Sequence, residues 1–184
     1  MTWAPDVNIN DSGDFIMYYS ALATSRPARH CIGVAIAFDV QGPYSPIGDT
    51  PFICPLSEGG AIDPSGFRDT DGTKWIVYKV DGNSLGNGGL CGNTVEPIVP
   101  TPIMLQRLAG DGITLIGDPI EIIDRGELDG PLVEAPALMK TRDGRYVLFF
   151  SSSCFDTEWY DISYAIASNV TGRPPCTSCG WFFH

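Results

Sequence analysis

The sequence predicts an all-β protein, and three observations carry that prediction. Six short segments rich in aromatic and β-branched residues are bounded by Gly, Asp, Pro or Ser. Three Asp-Gly dipeptides, Asp71-Gly72, Asp111-Gly112 and Asp143-Gly144, supply tight turns that accept positive φ at little cost. No segment of eleven or more residues carries a persuasive helical period.

In chain order the strand segments are Phe15 to Leu22, Cys31 to Phe38, Lys74 to Val80, Pro102 to Leu108, Arg145 to Ser152 and Asp161 to Ser168. They recur in a repeated order. Each unit opens on a Pro-linked carboxylate (Asp6, Asp63, Glu134), passes a turn and an aromatic strand, adds a second strand and ends on a Gly-Pro-type turn. A repeated unit of about four strands is a β-propeller blade. The first strand of each blade would lie near the central axis and bring its carboxylate to a shared pocket. About three units fit in the chain, fewer than a closed propeller needs. The alternative is a β-sandwich in which the repeat is coincidental.

The chain has 184 residues, of which 43% are hydrophobic and 18% charged, a globular composition with enough length for one domain and its core. The formal charge of -11 argues against nucleic acid and anionic membrane surfaces as partners. No apolar run approaches the ~18 residues of a membrane helix. The opening "MTWAPDV" shows no basic segment followed by an apolar one, so no signal peptide is visible.

Six cysteines point to an oxidising compartment. Cys31, Cys54, Cys91 and Cys154 allow three pairings, and Cys31–Cys54 with Cys91–Cys154 is the favoured one; buried free thiols in a cytosolic protein are the alternative. Two sequons, Asn10-Asp11-Ser12 and Asn169-Val170-Thr171, fit secretion. Cys176 and Cys179 form a single CxxC in the tail "PPCTSCGWFFH", poor grounds for zinc.

Glu134 stands alone in the apolar run "GPLVEAPAL". A buried carboxylate there must be paired or take up a proton. Leu132, Val133, Ala135 and Pro136 would limit its hydration, and Asp63 in the neighbouring blade would add negative charge. Both effects raise a carboxyl pKa, as a proton donor requires. The plain alternative is a turn residue paired with a nearby Lys or Arg. For Asp63 the alternative is an Asx-turn cap before Pro64. Asp6 is expected to hold a turn, and Asp69 and Asp71 to face solvent at a hairpin tip. "DGNSLGNGGLCGN" (Asp81 to Asn93) lacks a Gly-Lys-Ser/Thr ending, so it is a long loop, not a phosphate cradle, and would border a cleft. Trp3 reads as core or as sugar contact. His30 reads as a substrate contact or, with the stronger claim, as a surface histidine. Two histidines, one of them terminal, nearly exclude a His-based triad or a multi-His metal site.

In this order, "WAPDV", "MYYSA", "HCIGVA", "GPY", "GGAIDPSGFRDTDG", "YKVDGN", "PTPI" and "LVEAPAL" resemble the fungal members of glycoside hydrolase family 43, over nearly all of residues 1 to about 172. The resemblance implies a five-bladed β-propeller and an enzyme that hydrolyses arabinan, arabinoxylan or xylo-oligosaccharides with inversion. It implies Glu134 as general acid, Asp63 as the residue that adjusts and orients that acid, and Trp3 near a sugar subsite. The family's general base is an aspartate upstream of the "WAPD" motif, so no residue here takes that role. Residues 1–172 would then be a partial catalytic propeller lacking its first and last blades, and residues 173–184 a divergent C-terminal tail. No cofactor is required; a structural calcium belongs to the complete family fold, with its histidine in a missing blade. The expected partner is a plant cell-wall polysaccharide or oligosaccharide, the expected state a monomer and the expected location extracellular. The alternative function is a non-catalytic carbohydrate-binding propeller fragment.

Overall fold

A computed structural model describes residues 2–24, 26–172 and 182–183. It contains three antiparallel sheets of four strands, each a meander in chain order. The first holds β1 (Thr2–Ile9), β2 (Phe15–Ala23), β3 (Arg26–Ala37) and β4 (Ser45–Pro46). The second holds β5 (Ala61–Arg68), β6 (Lys74–Val80), β7 (Ile103–Leu108) and β8 (Leu115–Ile123). The third holds β9 (Val133–Lys140), β10 (Tyr146–Ser152), β11 (Asp161–Ala167) and β12 (Phe182–Phe183). The all-β prediction and the four-strand repeat hold, and the chain presents three blades of a propeller. The CxxC of Cys176 and Cys179, and most of the expected tail, lie outside the described residues.

The three Asp-Gly turns close the hairpins β5–β6, β7–β8 and β9–β10, with Gly72, Gly112 and Gly144 at φ of +88°, +72° and +84°. Side chains with a Cβ rarely adopt that region, which is why glycine sits there.

The core lies between sheets. Ile16, Tyr18, Ile32 and Val34 of the first blade pack on Ile76, Tyr78 and Val80 of the second. Val77, Ile103 and Leu105, from the other face of the second blade, pack on Val133, Leu138, Leu148 and Phe150 of the third. Strand side chains alternate faces, so "KWIVYKV" sends Ile76, Tyr78 and Val80 one way and Trp75, Val77 and Lys79 the other. A strand buried on both faces shows no polar alternation, which accounts for the unbroken apolar run Trp75 to Tyr78. Each such aliphatic or aromatic side chain contributes about 1.5–3 kcal/mol on burial.

The first strand of each blade carries the same irregularity. Ala4, Asp63 and Ala135 each precede a proline and have φ of 44°, 54° and 50°. The strand register breaks at Trp3/Asp6, Ile62/Ser65 and opposite Phe149/Ser151, as a β-bulge requires. The bulge aligns Trp3, Ile62 and Glu134, whose pairing partners on the second strands are Ser20, Lys79 and Ser151. This corrects the sequence repeat. Asp6 follows its proline, Asp63 precedes its own, and Glu134 stands two before, so the three carboxylates do not occupy equivalent positions.

Candidate functional site

A cleft of about 630 Å³ opens where the three first strands meet, and Asp63, Glu134, Trp3 and His30 all line it. β5 and β9 supply the two acids from adjacent blades. The bulges aim them: at φ > 0 the backbone of Asp63 and Ala135 leaves the regular pleat, and such outliers concentrate at functional sites.

Glu134 is held by two side chains. Its Oε2 accepts from Lys79 Nζ at 3.1 Å, and its Oε1 from Tyr160 Oη at 3.0 Å. Lys79 also sits 3.4 Å from Asp81 Oδ1, and its own side chain is 1% exposed. The apolar surround expected of Glu134 is therefore replaced by a cation and a phenol. The alternating pleat is the reason. Lys79 shares a face with Val77, and that face packs on the third blade, where Glu134 projects. Glu134 is indeed paired with a lysine, but from a strand bordering a cleft and not from a turn.

Asp63 is not a local cap. Its Oδ2 accepts the backbone N–H of Ala135 at 3.0 Å, 72 residues away and next to Glu134, while its own N–H donates to Ser20 Oγ at 3.0 Å. Burial pushes its pKa up, with the charges of Glu134 and Asp81 adding; the Ala135 N–H and the Lys79 ammonium oppose the shift. Burial also pushes the Tyr160 phenol up, with Glu134 contributing.

Trp3 stacks on His30, ring centroids 3.7 Å apart and planes 26° from parallel. Trp3 is 40% exposed, so it is a cleft wall and not core. His30 is 9% exposed, which corrects the surface reading. Burial lowers its pKa, opposed by Asp81, and its Nε2 is buried without a hydrogen-bond partner among the described residues.

The 81–93 loop borders the cleft as expected, through Asp81, Asn83 and Cys91. Both favoured disulfides are formed, Cys31–Cys54 and Cys91–Cys154. The second ties that loop to the segment that carries Phe155 and Tyr160 on the opposite wall. Asp6 stays outside the cleft: its Oδ2 accepts Gly66 N–H at 2.6 Å and joins β1 to β5. Asp69 is 8% exposed and not solvent-facing. It accepts from Lys140 at 2.6 Å and from the Tyr146 hydroxyl, both in the third blade.

Lys79, Asp81 and Tyr160 escaped the sequence reading. Lys79 had a signal, since a charge inside "WIVYKV" poses the same question as Glu134 inside "LVEAP". Tyr160 had none. Among the described residues, the one cluster of His, Cys, Asp or Glu side chains close enough to share a metal is Cys91, Cys154 and Asp156, and its two sulfurs are bonded to each other.

The profile of "Glycosyl hydrolases family 43" matches residues 1–178. An "Extracellular endo-alpha-(1->5)-L-arabinanase" of Thermotoga petrophila is 29% identical over 92% of this chain and 36% of its own length. A "Beta-D-galactofuranosidase" of Aspergillus niger is 26% identical over 92% of this chain and 44% of its own. The chain thus spans less than half the length of these curated relatives. The crystal structure of a thermostable family-43 glycoside hydrolase superposes with a TM-score of 0.78 at 26% identity, covering 100% of this chain and 54% of that one. An endo-arabinase from Bacteroides thetaiotaomicron shares the fold with a TM-score of 0.73 at 20% identity, over 99% of this chain and 60% of its own.

Proposed function

The chain belongs to glycosyl hydrolases family 43, and on that footing we propose that it forms part of an inverting glycoside hydrolase acting on pentose-containing plant polysaccharides. The names of its arabinanase relatives favour arabinan as substrate and an extracellular location. The observation that carries the reading is the shared cleft of Asp63 and Glu134, joined through the Ala135 amide.

Glycoside hydrolysis needs a carboxylic acid that protonates the leaving oxygen and a carboxylate that activates water on the opposite face. In this reading Glu134 is the donor. Asp63, Asp81 and Glu134 all line the cleft around the Lys79 ammonium. Asp63 fixes the backbone next to Glu134 and adds negative charge. Lys79 and Tyr160 hold the two carboxyl oxygens of Glu134 in place. Trp3 offers its face to a sugar ring, backed by His30. The water-activating base is assigned to none of the three cleft acids, because Asp63 is tied to Ala135 and Asp81 to Lys79.

The test is release of 4-nitrophenol from its α-L-arabinofuranoside and β-D-xyloside. It is run on this chain and on the longest natural protein that contains it. Turnover of these substrates by the longer protein, together with loss of turnover on an alkyl arabinofuranoside in its Glu134→Gln variant, supports the reading. Sugar binding without turnover in both proteins favours a carbohydrate-binding propeller instead.

A further inference from the structure

The structure separates the two sequons. Asn10 is 7% exposed, and both ends of its carboxamide are bonded: Oδ1 accepts the N–H groups of Ser12 and Asp14 at 2.9 Å, and Nδ2 donates to Asp14 Oδ2 at 3.2 Å. Asn10 thereby builds the β1–β2 turn, closed by Asn10 N–H to Asp14 O and Gly13 N–H to Asn10 O. A sugar on its Nδ2 would have to fit beside the Asp14 carboxylate at a residue only 7% exposed.

Asn169 is the opposite case. It is exposed, in the turn that follows β11, closed by Gly172 N–H to Asn169 O at 2.9 Å. Its Oδ1 accepts both the backbone N–H and the hydroxyl of Thr171 at 3.1 Å. Those bonds turn the carboxamide so that its oxygen is used and its nitrogen is left out of the turn's bonding. The required hydroxyl already points at the acceptor amide. Surface loops are where this triplet is modified in secreted proteins. The two disulfides fit an oxidising lumen of the kind where that chemistry occurs.

We propose that Asn169 is the N-glycan acceptor of this chain in a eukaryotic secretory lumen, and that Asn10 stays bare in the folded protein. The step is a substitution at the sugar's anomeric carbon. Asn169 Nδ2 forms the new C–N bond and loses a proton, the bond from that carbon to a lipid-linked diphosphate breaks, and the lipid diphosphate leaves.

The experiment expresses the full 184-residue chain behind a secretion leader in yeast. Both secreted and cell-retained protein are mapped after peptide N-glycosidase, which converts an occupied Asn to Asp. Expected is occupancy at Asn169 in the secreted chain, lost in Asn169→Gln and Thr171→Ala and kept in Thr171→Ser. Ser12→Ala, which destroys the other triplet and spares the Asn10 carboxamide, leaves the glycan pattern of secreted protein unchanged. Asn169 bare in both fractions, or Asn10 occupied in secreted protein, overturns the proposal.

Discussion

Lys79 and Glu134 come from different blades and meet as a buried ion pair, Nζ to Oε2 at 3.1 Å, with Asp81 as the second anion at 3.4 Å. One ammonium thus holds together the second blade, the third blade and the 81–93 loop. In the other two blades the equivalent second-strand position is a serine, Ser20 or Ser151. The bond that bridges the cleft is therefore specific to the middle blade.

Removing the cation strands two anions that are 12–13% exposed. Lys79→Met is expected to cost about 3–5 kcal/mol, the usual cost of breaking a buried pair. Lys79→Arg should cost less, because the charge stays. Urea denaturation midpoints measure both. A Lys79→Met midpoint equal to the parent's would show that the pair carries no net stability.

Asp63 should trade stability for function. Its folded pKa is raised, mainly by burial. A raised carboxyl contributes most below the unfolded value near 3.8, and that contribution is lost as pH rises through the folded value. Above the folded value the charge is carried at a cost. Asn removes the charge and is among the few residues that tolerate φ > 0, here 54°. Asp63→Asn is expected to be as stable as the parent or up to about 1 kcal/mol more stable at neutral pH, with the gain shrinking towards pH 4. Thermal melts across that range read the difference.

Asp69 has the reverse sign. Burial alone would raise it, but hydrogen bonds from Lys140, Tyr146 and Thr70 outweigh that and hold its pKa at about 2. A depressed carboxyl contributes above its unfolded value and loses the contribution as pH falls through the folded one. Asp69→Asn should therefore cost about 1–2 kcal/mol at pH 7 after allowance for solvent screening. The deficit should fade between pH 4 and pH 2. A deficit unchanged at pH 2 would mean that shape, and not charge, is what the site needs.

The two disulfides should differ. Cys91–Cys154 spans 63 residues and Cys31–Cys54 spans 23. By loop-closure entropy the longer is worth about 4 kcal/mol and the shorter about 3 kcal/mol. Replacing Cys91 and Cys154 by Ser also frees the two walls of the cleft. Expected are a larger fall in melting temperature than for the Cys31/Cys54 double variant and a weaker affinity for oligosaccharide.

The second strands were legible in the sequence because aromatic and β-branched runs between turn dipeptides have little else to become. "KWIVYKV" matches β6 end to end. The first strands were harder. "VEAPALMK" and "AIDPSGFR" carry a proline and a bulge, and proline inside a run argues against a regular strand. Their role shows only when the neighbouring blade packs on them. For the same reason Glu134 and Asp63 could be named as cleft candidates from the sequence, while Lys79 and Tyr160 could not. The partners of a carboxylate depend on which face of a distant strand turns towards it. Asp69 was misjudged likewise, because its partners lie 71 and 77 positions further on.

The central claim is that Glu134 delivers a proton to the departing sugar oxygen. The most direct measurement compares Glu134→Gln with the parent, in the longest natural protein containing this sequence, on an alkyl arabinofuranoside and on its 4-nitrophenyl counterpart. A good leaving group needs little protonation, so general-acid loss of about 10²–10⁴-fold should appear on the alkyl glycoside and be far smaller on the aryl one. Equal losses on both substrates, or none on either, would contradict the assignment.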